Sequence, residues 1–180
     1  KLSLSNPTKI ILGEDRFGFL KQQKETLSSV LDELKNLTLQ RRTSFTVKYY
    51  HGLSGLRQMT WNQLSAKEEI LQFAHQTRNE VVGKRFAEKI REEQVKRKIK
   101  LYEIENALDQ GDYWYTIVKE FPRYYDSRHI SPDVLDIRQN LSIFSDTVSL
   151  MNWRDENQSG VEIVNASFSK MQSEIFWRFW

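Results

Sequence analysis

Glu69-Ile70-Leu71-Gln72-Phe73-Ala74, running into His75-Gln76-Thr77-Arg78-Asn79, is the stretch on which the reading of the whole chain turns. The first six residues, with Ile70, Leu71 and Phe73, read as a β-strand, and the polar five that follow as its mouth. Upstream, Phe45–His51 is a second run of β-formers, with Phe45, Val47 and Tyr49 on one face and Tyr50 on the other. Gly52 and a helix over Leu53–Leu64 follow, with Leu53, Leu56, Thr60 and Leu64 on one side. Downstream, a helix over Val81–Arg97 turns Val82, Phe86 and Ile90 inward. Ile99–Ile104 is then apolar on both faces, as a strand buried in a parallel sheet is. Residues 45–105 therefore read β-α-β-α-β, which predicts a parallel sheet with right-handed crossovers and an α/β fold.

Beyond this unit the pattern changes. Asp109–Tyr115 is an aromatic, polar loop carrying Tyr113, Trp114 and Tyr115. Tyr124–His129 reads as another strand. Leu141–Phe144 and Val148–Met151 flank Ser145-Asp146-Thr147 and form a hairpin. Gly160–Val164 is a further strand. Phe168, Met171, Ile175 and Phe179 are spaced for one face of a terminal helix that also carries Trp177 and Trp180.

The N-terminal quarter is of another kind. Residues 1–12 read as a short extended piece, the tail of something upstream, in which Pro7 forbids a central strand. Glu14 to Gln40 reads as one long helix. Leu20, Leu27 and Leu34 recur every seven residues, with Gln23, Val30 and Leu37 between them, a seam of about three heptads. Gln23 would set its register. The other reading is an amphipathic helix packed on its own domain, with Leu31 widening the stripe; the seam is preferred because the helix sits ahead of the globular region. Arg41–Ser44 is a polar linker. The expected division is 1–12 as a remnant of an upstream domain, 13–43 as a dimerisation helix and 44–180 as the α/β domain.

The composition narrows the chemistry. With 39% hydrophobic and 28% charged residues over 180 positions, there is enough apolar material for one compact domain with an appendage. The absence of cysteine removes disulfide scaffolds, zinc ribbons and thiol catalysis together. There is no apolar run long enough to span a membrane and no signal peptide, so a cytoplasmic protein is expected. Lacking an initiator Met, the chain is expected to be a fragment or a processed product. The Asn-x-Ser/Thr triplets at Asn36, Asn140, Asn157 and Asn165 are read as chance. Between Lys84 and Lys100, eight Lys or Arg stand against three Glu, a local +5 within a chain of net charge +3. This band is either a solvated helix face or an attractor of phosphate and acidic surfaces.

Its three histidines, His51, His75 and His129, fall in different segments without metal-ligand spacing, so neither a metal nor a cofactor is expected. No nucleotide-binding glycine loop, nucleophile elbow or zinc-protease motif occurs. The loops, in contrast, are rich in aromatics and amides. Sugars are held by aromatic faces against their C–H surfaces, while Asn, Arg and His read the hydroxyls. The expected ligand-binding set, at strand ends, is His75, Arg78, Asn79, Trp114, Arg123, Asn152 and Trp153. The alternative is that Trp114 and Trp153 pack over the edge of the core.

Taken in order, several segments resemble the effector region of TrmB-type transcriptional regulators, archaeal and bacterial proteins with an N-terminal winged helix. Leu2–Leu12, with its Asn-Pro, resembles the exit from that winged helix, and the helix 14–40 stands where the family has its dimerising coiled coil. Val47-Lys48-Tyr49-Tyr50-His51-Gly52 resembles the strand and glycine that open the effector domain. Ala66-Lys67-Glu68-Glu69-Ile70-Leu71 resembles the approach to its second strand, and Arg97-Lys98-Ile99-Lys100-Leu101 the basic run into its third. The hairpin and Glu174–Trp180 resemble its closing strand and aromatic helix.

The resemblance implies a long coiled-coil helix followed by a phospholipase D-like α/β sandwich that senses a small molecule, in some relatives a sugar. It also implies a homodimer through Leu20, Gln23, Leu27, Val30, Leu34 and Leu37, with DNA bound only by a domain missing from this chain. Phospholipase D chemistry needs His-x-Lys-x4-Asp, in which the His attacks phosphorus and the Lys binds phosphate oxygens. With Asp146 as the Asp, Gln139 and Leu141 take the other two places, and neither can do that work. A sensor without enzymatic activity is therefore expected. A divergent phospholipase D-like nuclease or phosphodiesterase using the basic band 84–100, and a protein-interaction module without a ligand, are the alternatives.

Overall fold

Side chains alternate across a sheet, so neighbours in one strand serve different layers. In β2 (Glu69–Ala74), Ile70 packs with Leu64, Ile90, Leu101 and Phe144, while Leu71 packs with Ile104, Ile143, Val148 and Phe176. These are the cores on the two faces of one mixed sheet in a computed structural model. The structure describes residues 45–75, 77–106, 116–153 and 158–180, all within the compact unit Ser44–Trp180. Every residue of the expected heptad seam lies outside the described residues, as do Gln76, Tyr113, Trp114 and Tyr115.

The remaining elements, in chain order, are β1 (Thr46–His51), α1 (Gly52–Asn62), α2 (Arg78–Val82), α3 (Lys84–Arg97), β3 (Lys100–Asn106), β4 (Tyr125–Ile130), β5 (Asn140–Phe144), β6 (Thr147–Asn152), β7 (Ser159–Val164) and α4 (Ala166–Phe179). The order across the seven-stranded sheet is β1-β7-β6-β5-β2-β3-β4. β2 is parallel to β3 and β3 to β4; the other neighbours are antiparallel.

The α/β class is as expected, but the sheet is mixed. The parallel pairing read for 45–105 holds between β2 and β3 and fails for β1. That strand lies at the far edge, antiparallel to β7, with Thr46 opposite Val164 and His51 opposite Ser159. Its residues are almost all exposed, and it carries Lys48, a pattern suited to an edge strand. The hairpin β5–β6 and β7 fill the centre instead.

One helix was expected over 81–97. The structure has two, α2 and α3, parted by Gly83 at φ 93°, a conformation open to glycine and costly for other residues. Helices α1 and α3 cover one face of the sheet. α1 comes so close to β7 that a Cβ on Gly160 would run into the Met59 side chain and the Leu150 carbonyl. On the other face, α4 starts at Asn165, whose Oδ1 accepts from the Phe168 N–H at 2.9 Å, an N-cap.

The buried side of α4 is only partly the one expected. Phe176 and Ser169 are buried, Phe168 packs beside that cluster and Phe179 meets Phe73 edge-on at 6.1 Å, whereas Met171 and Ile175 form an exposed flank. Aromatic contacts set this rotation. Phe176 meets Phe73 edge-on at 5.2 Å, and Tyr102 meets Trp177 and Trp180 at 5.0 and 5.2 Å. Among the described residues, no helix is long and apolar enough to cross a membrane.

Candidate ligand site at the carboxyl edge

After the exposed Glu69, β2 is apolar on both faces except at Gln72, which is fully buried. A buried amide must have its hydrogen bonds made, and this one has all four. Its Nε2 donates to Glu103 Oε2 at 3.0 Å and Asn140 Oδ1 at 3.1 Å. Its Oε1 accepts from Ser142 Oγ at 3.2 Å and Arg78 Nη1 at 3.1 Å. Ser142 Oγ also accepts from Gln63 Nε2 and Asn140 Nδ2, each at 3.1 Å. Tyr125 donates to Glu103 Oε1 at 3.0 Å. The network is a closed frame built by β2, β3, β4 and β5, and its outward product is a fixed Arg78. The other Arg78 arm donates to Asn79 Oδ1 at 3.0 Å.

Arg78 stands just past the carboxyl end of β2, beside a second polar chain. Trp153 Nε1 donates to Thr77 Oγ1 at 2.9 Å, and Thr77 Oγ1 lies 3.1 Å from His75 Nδ1. The Thr77 backbone N–H also points to that nitrogen. In this geometry Nδ1 is the acceptor of the Thr77 N–H. The His75 and Trp153 rings meet edge-on, 5.6 Å between centroids. Trp153 is half-buried and packs on the cluster of Leu56, Met59 and Met151, so it is both a wall of the core and part of this edge.

Charge at the edge is mixed. His129 Nε2 lies 3.1 Å from Glu105 Oε1. Burial pushes the Glu105 carboxyl up, Glu103 adds to this, and His129 opposes it. Burial pushes the Tyr125 phenol up, with the Glu103 charge next. Arg91 lies behind the frame, and its guanidinium is pushed down by burial and by Arg78. Among the described residues no cluster of His, Asp and Glu could hold a metal ion.

Of the residues expected at the site, the structure brings His75, Arg78, Asn79 and Trp153 together. Asn152 ends β6, the strand that leads into Trp153. Arg123 stands elsewhere. It precedes Tyr125, which pairs with Leu101 at the start of β3, whereas His75 follows Ala74, which pairs with Glu105 near its end. Those two points are about 13 Å apart along the strand, which puts Arg123 at the amino edge of the sheet. Thr77, Gln72, Glu103, Asn140 and Ser142 were not anticipated. A polar Gln72 in the middle of a buried strand was the signal for them.

Gln139 is exposed, and Leu141 packs on the α4 face among the residues around Phe176. The two β5 side chains that enter the polar frame are Asn140 and Ser142, both fully buried.

No family model matches this chain, and no curated protein does. Solved structures are similar to it, and two of them serve as examples. The first is of TrmBL2, an archaeal chromatin protein whose structure shows a novel mode of DNA binding. It is 16% identical over 93% of this chain and 65% of that one, with a TM-score of 0.49. The second, NucT from Helicobacter pylori, is 12% identical over 75% of this chain and 95% of that one, with a TM-score of 0.47.

Proposed function

We propose that the chain is the ligand-sensing and dimerisation region of a TrmB-like transcriptional regulator. It couples a small-molecule effector, with sugars as the candidate class, to DNA binding by an upstream winged helix. The observation that carries the reading is the convergence of His75, Arg78, Asn79 and Trp153 at the carboxyl edge, with Arg78 held by the buried Gln72. An aromatic wall beside fixed donors is what a polyhydroxylated ligand needs. The ordered sequence resemblance to the regulator family supports the same reading, and so does the heptad seam Leu20, Gln23, Leu27, Val30, Leu34 and Leu37 for a homodimer.

In this reading the chain is not an enzyme. The two residues that β5 turns into the frame, Asn140 and Ser142, already spend their polar atoms on each other and on Gln72. Neither offers the nucleophilic imidazole or the free ammonium that phosphodiester cleavage requires.

Calorimetric titration with a panel of neutral mono- and disaccharides tests the proposal. One sugar should bind, and Arg78→Ala should weaken it by about tenfold or more, the scale of one charge-assisted hydrogen bond. Arg123→Ala should leave it unchanged. Absence of binding across the panel, or metal-independent cleavage of a generic phosphodiester, would overturn it.

A further inference from the structure

A second surface, away from the carboxyl edge, has a chemistry of its own. Between α1 and α3 runs an open groove lined by Leu53, Ser54, Arg57, Gln58, Trp61, Phe86 and Lys89. The α1 residues follow one another at one-turn spacing, so they share a face of that helix. The floor is apolar, and among the described residues the lining holds two cations and no carboxylate. Arg57 is fixed, donating from Nε to the Val82 carbonyl at 2.8 Å with its guanidinium carbon 5.7 Å from the centre of the Phe86 ring. Lys89 Nζ lies 5.3 Å from the centre of the Trp61 ring. Arg85, one turn before Lys89 on α3 and exposed, extends the positive rim. The basic band of the sequence thus acquires a definite place, since part of it borders an apolar trough.

We propose that this groove docks an acidic amphipathic helix of a protein partner. Its apolar side chains would seat on Leu53 and along the edges of the Trp61 and Phe86 rings, each of which has a cation of this chain over one face, and its carboxylates would pair with Arg57 and Lys89. Charge complementarity selects the anionic partner, and an apolar trough between two helices suits a third helix. A single-stranded nucleic acid fits less well. It binds by stacking bases on open ring faces, and here the Trp61 and Phe86 rings already have a cation of this chain above them.

The test is fluorescence anisotropy on the full chain with three labelled probes. The first is a helical peptide with Leu at i, i+4 and i+7 flanked by Glu, the second is its scrambled form, and the third is an oligothymidylate. The amphipathic peptide should bind, more weakly as salt rises, and the scrambled one should not. Lys89→Glu and Leu53→Asp, both at exposed positions, should each weaken binding by roughly tenfold. Replacing Glu by Lys in the peptide should restore affinity for the Lys89→Glu protein. Equal binding of the scrambled peptide, insensitivity to both variants, or no binding would overturn the proposal. So would oligothymidylate binding that Lys89→Glu alone abolishes, which would mark a nucleic-acid groove. Self-association lost in the same variants, with no peptide bound, would mark a contact between copies of this chain and would overturn it too.

Discussion

At the scale of single residues, two serines that face each other across the β5–β6 hairpin differ in their bonding. Ser142 satisfies three neighbours, whereas the Ser149 hydroxyl, opposite it on β6, is buried with no hydrogen-bond partner. Losing a made network costs about 1–3 kcal/mol, while removing an unsatisfied hydroxyl is neutral or gains up to about 1 kcal/mol. Urea denaturation should therefore show Ser142→Ala clearly destabilised and Ser149→Ala unchanged or more stable. Equal losses for the two would mean that Ser149 has a partner. Sequence alone distinguishes neither serine, since both sit in alternating strand patterns of the same kind. Gln72 is different: an amide amid Ile70, Leu71 and Phe73 announces a buried polar partner, although it does not say which residue that is.

At the scale of elements, the strands were legible. Glu69–Ala74 is a strand over the expected residues, and β4 to β7 begin within one residue of where their patterns place them. Short runs of β-formers between turn residues carry local information, and the strand state follows from it. The rotation of α4 did not. Its apolar residues nearly encircle the helix, so a periodic stripe through Phe168, Met171, Ile175 and Phe179 is only one of several. The sheet below chose Phe176. Phe176→Ala should cost about 3–5 kcal/mol, as buried aromatic truncations do, and lower the melting temperature by on the order of 10–20 °C. Met171→Ala should stay within about 0.5 kcal/mol, as surface changes do. Melting curves with the reverse ranking would show the helix turned as its sequence pattern suggested.

At the scale of the whole molecule, the coupling of Glu105 to its surroundings shapes stability against pH. Burial and Glu103 hold its carboxyl above the ordinary 4.5, with His129 and Arg78 opposing. The folded chain therefore keeps this proton to a higher pH than the unfolded chain, and its contribution is largest below 4.5. That contribution falls as pH rises through the raised folded value, since the slope follows the difference in bound protons. Glu105→Gln should flatten the decline in stability above pH 4.5. An unchanged pH profile in the variant would remove Glu105 as its source.

The sequence by itself determined the α/β class, the strands and helices in outline, the exclusion of cysteine chemistry and the aromatic, amide-rich character of the loops. These are local or compositional properties, readable wherever the period and residue types are clear. Only the tertiary structure decided that β1 lies at the edge opposite β4 and that three antiparallel strands separate it from β2. It alone separated Arg123 from His75 and Arg78, and it closed the frame around Gln72. Backbone hydrogen bonds are alike in every strand, so pairing is chosen by which faces can be buried together and which edge can bear exposure. That choice is made between residues far apart in the chain, and it is also what assembles a site from separate loops.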